Sequence, residues 1–137
     1  MAEDIEEIRR QKLAELRNRT ETDGAEESAS KSPSEPIHIN GDAELSDTVA
    51  EYDLVLADFY ADWCGPCQML EPVVETIAAE TRATVVKIDI DSNQQLAAKY
   101  GVQGVPTLVL FADGQPAERL VGMQDEAQLR SVIEAHA

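Results

Sequence analysis

From position 37 onward, apolar residues switch repeatedly between strand and helix spacing. Residues 37–40 alternate as a short strand does. In 43–51, Leu45 and Val49 stand four apart, on one side of a helix. Residues 54–60 form a nearly continuous apolar run, as expected of a strand buried on both faces. Met69, Leu70, Val73, Val74 and Ile77 then recur at three and four, which marks a helix that Pro72 should kink. Residues 84–90 read as a β-branched strand. A short helix follows over 93–100, with Gly101 suited to its C-terminal cap. Residues 107–111 and 117–121 flank Asp113-Gly114, a hairpin signal. Leu129, Val132 and Ile133 mark a last amphipathic helix. The order βαβαβαββα predicts an α/β fold, a mixed sheet with helices on both faces. The first three strands need crossovers and are expected parallel; the last two form an antiparallel hairpin.

Before this region the pattern changes. In 4–19, Ile5, Ile8, Leu13 and Leu16 project onto one face of a helix, with acids early and bases late, as the helix dipole favours. Residues 20–36 are polar and low in complexity and read as a linker. The expected organisation is an amphipathic segment (1–19), a flexible acidic Ser/Pro linker (20–36) and one domain (37–137). The pattern never recurs at a fixed period, so the chain carries no internal repeat.

The formal charge is −16, from 27 acids and 11 bases. An acidic, lysine-poor composition resembles that of proteins from organisms that keep molar salt in the cytoplasm; the plainer alternative is an ordinary acidic protein. Such charge argues against nucleic-acid or anionic-membrane partners. No apolar run approaches the ~20 residues of a membrane span. The acidic start lacks the order of a signal peptide, so the expected location is cytoplasmic.

The chemistry concentrates in Trp63-Cys64-Gly65-Pro66-Cys67. These are the only 2 cysteines in the chain. Three positions apart at a helix start, they can close a disulfide with little backbone movement. In a reducing compartment such a pair is more often catalytic or metal-binding than structural. A half zinc site is the alternative, but His38 and His136 lack ligand spacing to the cysteines and read as surface residues. Thiol–disulfide exchange is therefore the leading reading. Cys64 at the helix mouth meets unpaired N–H groups that favour a thiolate, so it is the expected attacker. Cys67, one turn inside and shielded, is the expected resolver. Gly65 allows close approach of another chain, and Pro66 suits an early helical position.

Residues 37–137 resemble the thioredoxin family. The resemblance rests on Asp58-Phe59-Tyr60-Ala61-Asp62-Trp63-Cys64-Gly65-Pro66-Cys67 and Gly104-Val105-Pro106-Thr107. Lys87, Pro72 and Val121-Gly122 also fall in the family's order. It implies the thioredoxin fold, with a five-stranded sheet and four helices, and reduction of client protein disulfides. It also implies re-reduction by a thioredoxin reductase, and a monomer with no cofactor beyond the Cys64–Cys67 disulfide and no metal. By the same resemblance, Asp58 serves Cys67 as proton acceptor and donor, Pro106 is cis and Val105 pairs its backbone with substrate. Gly122 falls with them at the substrate surface.

The residues themselves add to this. Asp58 is an acid within an apolar strand, where burial raises its pKa. Lys87 either balances that charge or faces solvent. Trp63 is either a core aromatic or a border of the substrate groove. Tyr60 stands where the family often has a second tryptophan, and Gln68 where a cation is frequent. With Asp62 nearby, Cys64 has less cationic help toward the thiolate than usual. Two rival readings are another oxidoreductase on the same fold, and a non-catalytic binding or holdase module with a partner-recruiting tail. The intact WCGPC, Asp58 and Pro106 favour catalysis.

Overall fold

The computed structural model describes residues 32–137. The expected helix over 4–19 and most of the linker lie outside the described residues. Ser32 to Pro36 carry no helix or strand.

The described chain runs β1 (Ile37–His38), α1 (Asp42–Glu51), β2 (Leu54–Tyr60), α2 (Gly65–Glu80) and β3 (Thr84–Asp89). It continues through α3 (Gln94–Lys99), β4 (Thr107–Ala112), β5 (Gln115–Val121) and α4 (Glu126–Ala135). The sheet order is β1-β3-β2-β4-β5. β3 pairs parallel with β1 and β2, while β4 pairs antiparallel with β2 and β5. This is the thioredoxin fold expected from the sequence.

Alternation along the central strands builds two cores. Leu54 and Leu56 of β2, Val85 of β3, and Leu108 and Leu110 of β4 pack with Leu70, Val74 and Ile77 of α2 and Leu129 and Ile133 of α4. Val55, Ala57 and Phe59, with Val86, Ile88, Val109 and Phe111, pack on the other face with Leu45 and Leu96. A strand covered on both faces must be apolar at nearly every position, which is why β2 reads as a continuous run. Asp58 shares the parity of Leu54 and Leu56, and Lys87 that of Val85. Both therefore point to the face that α2 covers.

The turns follow local chemistry. Asp113 (φ 53) and Gly114 (φ 84) both take positive φ between β4 and β5, as a two-residue hairpin requires. Gly101 (φ 67) follows α3, with its N–H donating to the Ala98 carbonyl at 3.0 Å. Pro72 sits inside α2 without ending it.

Candidate functional site

The site forms where β2 ends and α2 begins. Ala61 accepts the Cys64 N–H at 3.1 Å, which closes the turn leaving β2. Cys64 is the N-cap of α2 with extended backbone, and Pro66 fills an early helical position where a missing N–H is no loss. The two sulfurs are joined as a disulfide, with Cα atoms 5.2 Å apart. Cys64 Sγ accepts the Cys67 N–H at 3.1 Å. That bond is the capping interaction that serines and aspartates supply elsewhere, and it grows stronger when the acceptor carries charge. The helix start thus favours a thiolate on Cys64 and not on Cys67.

Whole-residue exposure does not separate the pair. Cys64 is 4% exposed and Cys67 3%. The expected contrast between an open attacker and a shielded resolver is therefore carried by hydrogen bonding rather than burial in this oxidised state.

The remaining expected residues gather around the disulfide. The Val105–Pro106 bond is cis, and the Val105 carbonyl oxygen lies 3.7 Å from Cys64 Sγ. Gly122 takes φ 91, and its N–H donates to the Pro106 carbonyl at 2.8 Å, tying the end of β5 to the proline loop. Beyond its chain neighbours and the backbone of its own helix, no atom stands within 4 Å of where a Cβ on Gly65 would lie, so that side of the active-site loop is open. Trp63 is 69% exposed, which removes the core-aromatic alternative. Its indole N–H donates to Asp91 at 2.9 Å. Val121 and Met123 are also exposed beside Gly122. Trp63 beside Cys64, and Val121 and Met123 on either side of Gly122, are exposed apolar side chains of the kind that receive an extended peptide segment.

Behind Cys67 lies a cleft of about 530 Å³, lined by His38, Tyr60, Asp62, Gln68, Glu71 and Lys87 as well as Cys67 itself. Lys87 is only 5% exposed, which removes the solvent-facing alternative. Its Nζ stands 3.9 Å from Asp58 Oδ2, 3.6 Å from Glu71 Oε2 and 4.4 Å from the centre of the Tyr60 ring. Asp58 is fully buried, and neither of its carboxylate oxygens has a hydrogen-bond donor among the described residues. Burial pushes its pKa up from 3.8 to about 6; Lys87 opposes the rise and Glu71 adds to it. A carboxyl poised near neutrality, behind the Lys87 ammonium that shares a cleft wall with Cys67, can take and give a proton at physiological pH. Lys87 supplies the cation missing from the Cys64 side, but it stands behind Cys67.

Sequence reasoning passed over Glu71 and Asp91. Glu71 follows Cys67 by four, so helical spacing alone puts it on the same face. Asp91 reaches Trp63 from the turn that follows β3, a juxtaposition that spacing does not reveal. His38 is exposed, and His136 is partly exposed and bonded to Glu118 at 2.9 Å.

Comparison with known proteins agrees with this geometry. The thioredoxin family model matches residues 36–135. Thioredoxin of Chlamydia trachomatis is 45% identical over 101 residues, covering 73% of this chain and 98% of that protein. Thioredoxin of Staphylococcus aureus is 46% identical over 92 residues, covering 66% of this chain and 88% of that protein. Among solved structures, a mutant thioredoxin from Halobacterium salinarum NRC-1 aligns with a TM-score of 0.76 and 63% identity, covering 77% of this chain and 93% of that one. A Fasciola hepatica thioredoxin aligns with a TM-score of 0.69 and 36% identity, covering 74% of this chain and 99% of that one.

Proposed function

This chain belongs to the thioredoxin family of disulfide oxidoreductases, and we propose that it runs in the reducing direction on client proteins. The observation that carries this is the Cys64–Cys67 disulfide at the α2 N-terminus, with Cys64 Sγ receiving the Cys67 N–H and facing the Val105 carbonyl.

The chemistry proceeds in two exchanges. A client segment lies along Trp63, Val105 and Gly122. The Cys64 thiolate attacks one client sulfur, forms a mixed disulfide and expels the other client sulfur as thiolate. Cys67 then gives its thiol proton to Asp58, directly or through water, and attacks Cys64 Sγ. The Cys64–client bond breaks, the Cys64–Cys67 bond forms, and the client leaves with two thiols. Two electrons and two protons have passed to the client once the leaving thiolates are protonated. A thioredoxin reductase returns two electrons to the disulfide.

The proposed setting is a cytoplasm rich in salt, with the protein acting as a monomer. The net charge of −16 and the 63% identity to a Halobacterium salinarum thioredoxin support that setting. The acidic surface supports protein clients over nucleic acid or anionic membrane.

Reduction of a model disulfide protein by the full chain, with Cys64→Ser and Cys67→Ser as comparisons, tests the reading. The parent should turn over, Cys64→Ser should be inert, and Cys67→Ser should accumulate a mixed disulfide. Equal activity of parent and Cys64→Ser would overturn it.

A further inference from the structure

The contacts of Lys87 pose a question that Asp58 alone does not answer. A nearly buried ammonium and a fully buried carboxylate normally close to a charge-assisted hydrogen bond of about 2.8 Å. Here the separation is 3.9 Å, outside hydrogen-bond range, and both Asp58 oxygens remain without a donor among the described residues. The ammonium is 0.3 Å nearer to Glu71, at 3.6 Å against 3.9 Å, an ion-pair contact that is likewise too long for a hydrogen bond, and it lies over the Tyr60 ring. Glu71 is 50% exposed, so it draws the cation toward the open side of the cleft. It follows Cys67 by one helical turn, which puts its carboxylate on the same face as the resolving sulfur.

We propose that Glu71 is a positioning residue for the exchange reaction: it holds the Lys87 ammonium off Asp58 and so keeps the Asp58 carboxyl free to take and return the Cys67 proton. The proposal rests on the reading that Asp58 serves Cys67. Without Glu71, Lys87 would settle onto Asp58. A carboxylate gripped by an ammonium is a weaker base and a poorer acceptor for a thiol proton. The direction of the Asp58 pKa agrees, since Glu71 raises it and Lys87 lowers it.

Other charged groups around Asp58 set the background. β3 supplies Lys87 and Asp89, and α2 supplies Cys67 and Glu71. Tyr60 stands at the end of β2, Asp62 in the active-site loop and His38 on β1 at the cleft wall. β4 offers only Leu108 opposite Asp58. Of these, Glu71 and Asp58 are the carboxylates in ion-pair range of Lys87. Glu75, one turn further along α2, is exposed and has no ion pair among the described residues, so its substitution controls for charge alone.

The test is a carboxyl-carbon NMR titration of Asp58 in the oxidised full chain. Glu71→Gln should move the Asp58 midpoint below that of the parent, while Glu75→Gln should leave it in place. In a Lys87→Met background the effect of Glu71→Gln should shrink, because there is no cation left to release. An unmoved midpoint in Glu71→Gln, or an equal fall in Glu75→Gln, would overturn the proposal. The second readout is the pH profile of client release from the mixed disulfide. Glu71→Gln should shift its acid limb to lower pH and lower its plateau. A shifted midpoint with an unshifted profile would uphold the grip of Glu71 on Lys87 and overturn proton transfer through Asp58, so the two readings fail separately.

Discussion

Asp58 on β2 and Lys87 on β3 are register partners whose side chains meet at 3.9 Å on the sheet face covered by α2. The parallel register sets the two residues opposite each other on one face, because both keep the parity of the core positions beside them; the position of the ammonium along that face is left to the Lys87 side chain. It sets a buried acid near a cation without bonding the two.

That arrangement makes stability depend on pH. The Asp58 pKa is raised from 3.8 to about 6 in the folded chain. Between those values the folded state keeps a proton that the unfolded state has released. Stability therefore falls as pH rises through this window, and the loss is complete above about pH 6. The shift corresponds to about 3 kcal/mol at most. Asp58→Asn escapes the penalty and should be more stable than the parent near pH 8, by up to this amount, with the difference vanishing below about pH 4. Denaturant midpoints at the two pH values measure it, and equal midpoints near pH 8 would show that Asp58 carries no penalty. The same substitution should slow release of client from the mixed disulfide.

Cys64 should react first with an alkylating agent. In the disulfide its sulfur accepts the Cys67 N–H at the α2 N-terminus, and the reduced sulfur should keep that donor, which favours negative charge. Mass-spectrometric mapping after brief alkylation near neutral pH reads the ratio. Faster labelling of Cys67 would reverse the assignment of attacker and resolver.

The dithiol should also be strongly reducing. A disulfide oxidises others well when its reduced form is stabilised as thiolate. Here Gln68 stands beside Cys67 with its amide on the Asp62 carbonyl, at 3.0 Å, and supplies no cation. Lys87 stands behind Cys67, nearer to Glu71 than to Asp58. Equilibration with glutathione should place the pair below the roughly −180 mV of a disulfide isomerase. A value at or above that would favour an oxidase.

The fold was legible wherever burial imposes a period. The run over 54–60 became β2 because both its faces are covered, and the three-and-four spacing from Met69 to Ile77 became α2. Strand ends were less legible. The strand expected over 37–40 ends at His38, although the Ile39 N–H still donates to the Lys87 carbonyl at 3.0 Å. Asn40 leaves the sheet because its N–H is taken by Glu44 of α1, at 2.9 Å. β5 begins at Gln115, two residues before the expected start, because the Asp113-Gly114 turn returns the chain directly into pairing with Ala112. In the site, the dithiol and Asp58 stand out as residues that break or interrupt an apolar pattern. Glu71 does not, since an acid on an exposed helix face is ordinary until Lys87 is seen to reach it from β3.

Stability should rise with salt into the molar range. Residues 37–137 hold 17 acids and 5 bases, a net of −12. Some charges are paired, as Lys99 is with Asp42 at 2.8 Å and Arg130 with Glu80 and Glu126. Pairing cannot cancel an excess this large. Folding brings the acids closer together, and their repulsion at low ionic strength opposes the compact state. Screening removes much of that cost as the Debye length falls from ~10 Å at 0.1 M to ~3 Å at 1 M. The surface ion pairs weaken over the same range, but exposed pairs contribute only about 0–1 kcal/mol each, so relief of the net repulsion wins. Salts excluded from the protein surface also strengthen apolar burial, and a comparison of chloride with sulfate separates that effect from screening. Thermal midpoints in potassium chloride from about 0.1 M, where the Debye length is ~10 Å, up to the molar range supply the measurement. The steepest rise should come below about 1 M, where screening changes most. A midpoint that stays flat would sink both the repulsion argument and the high-salt setting.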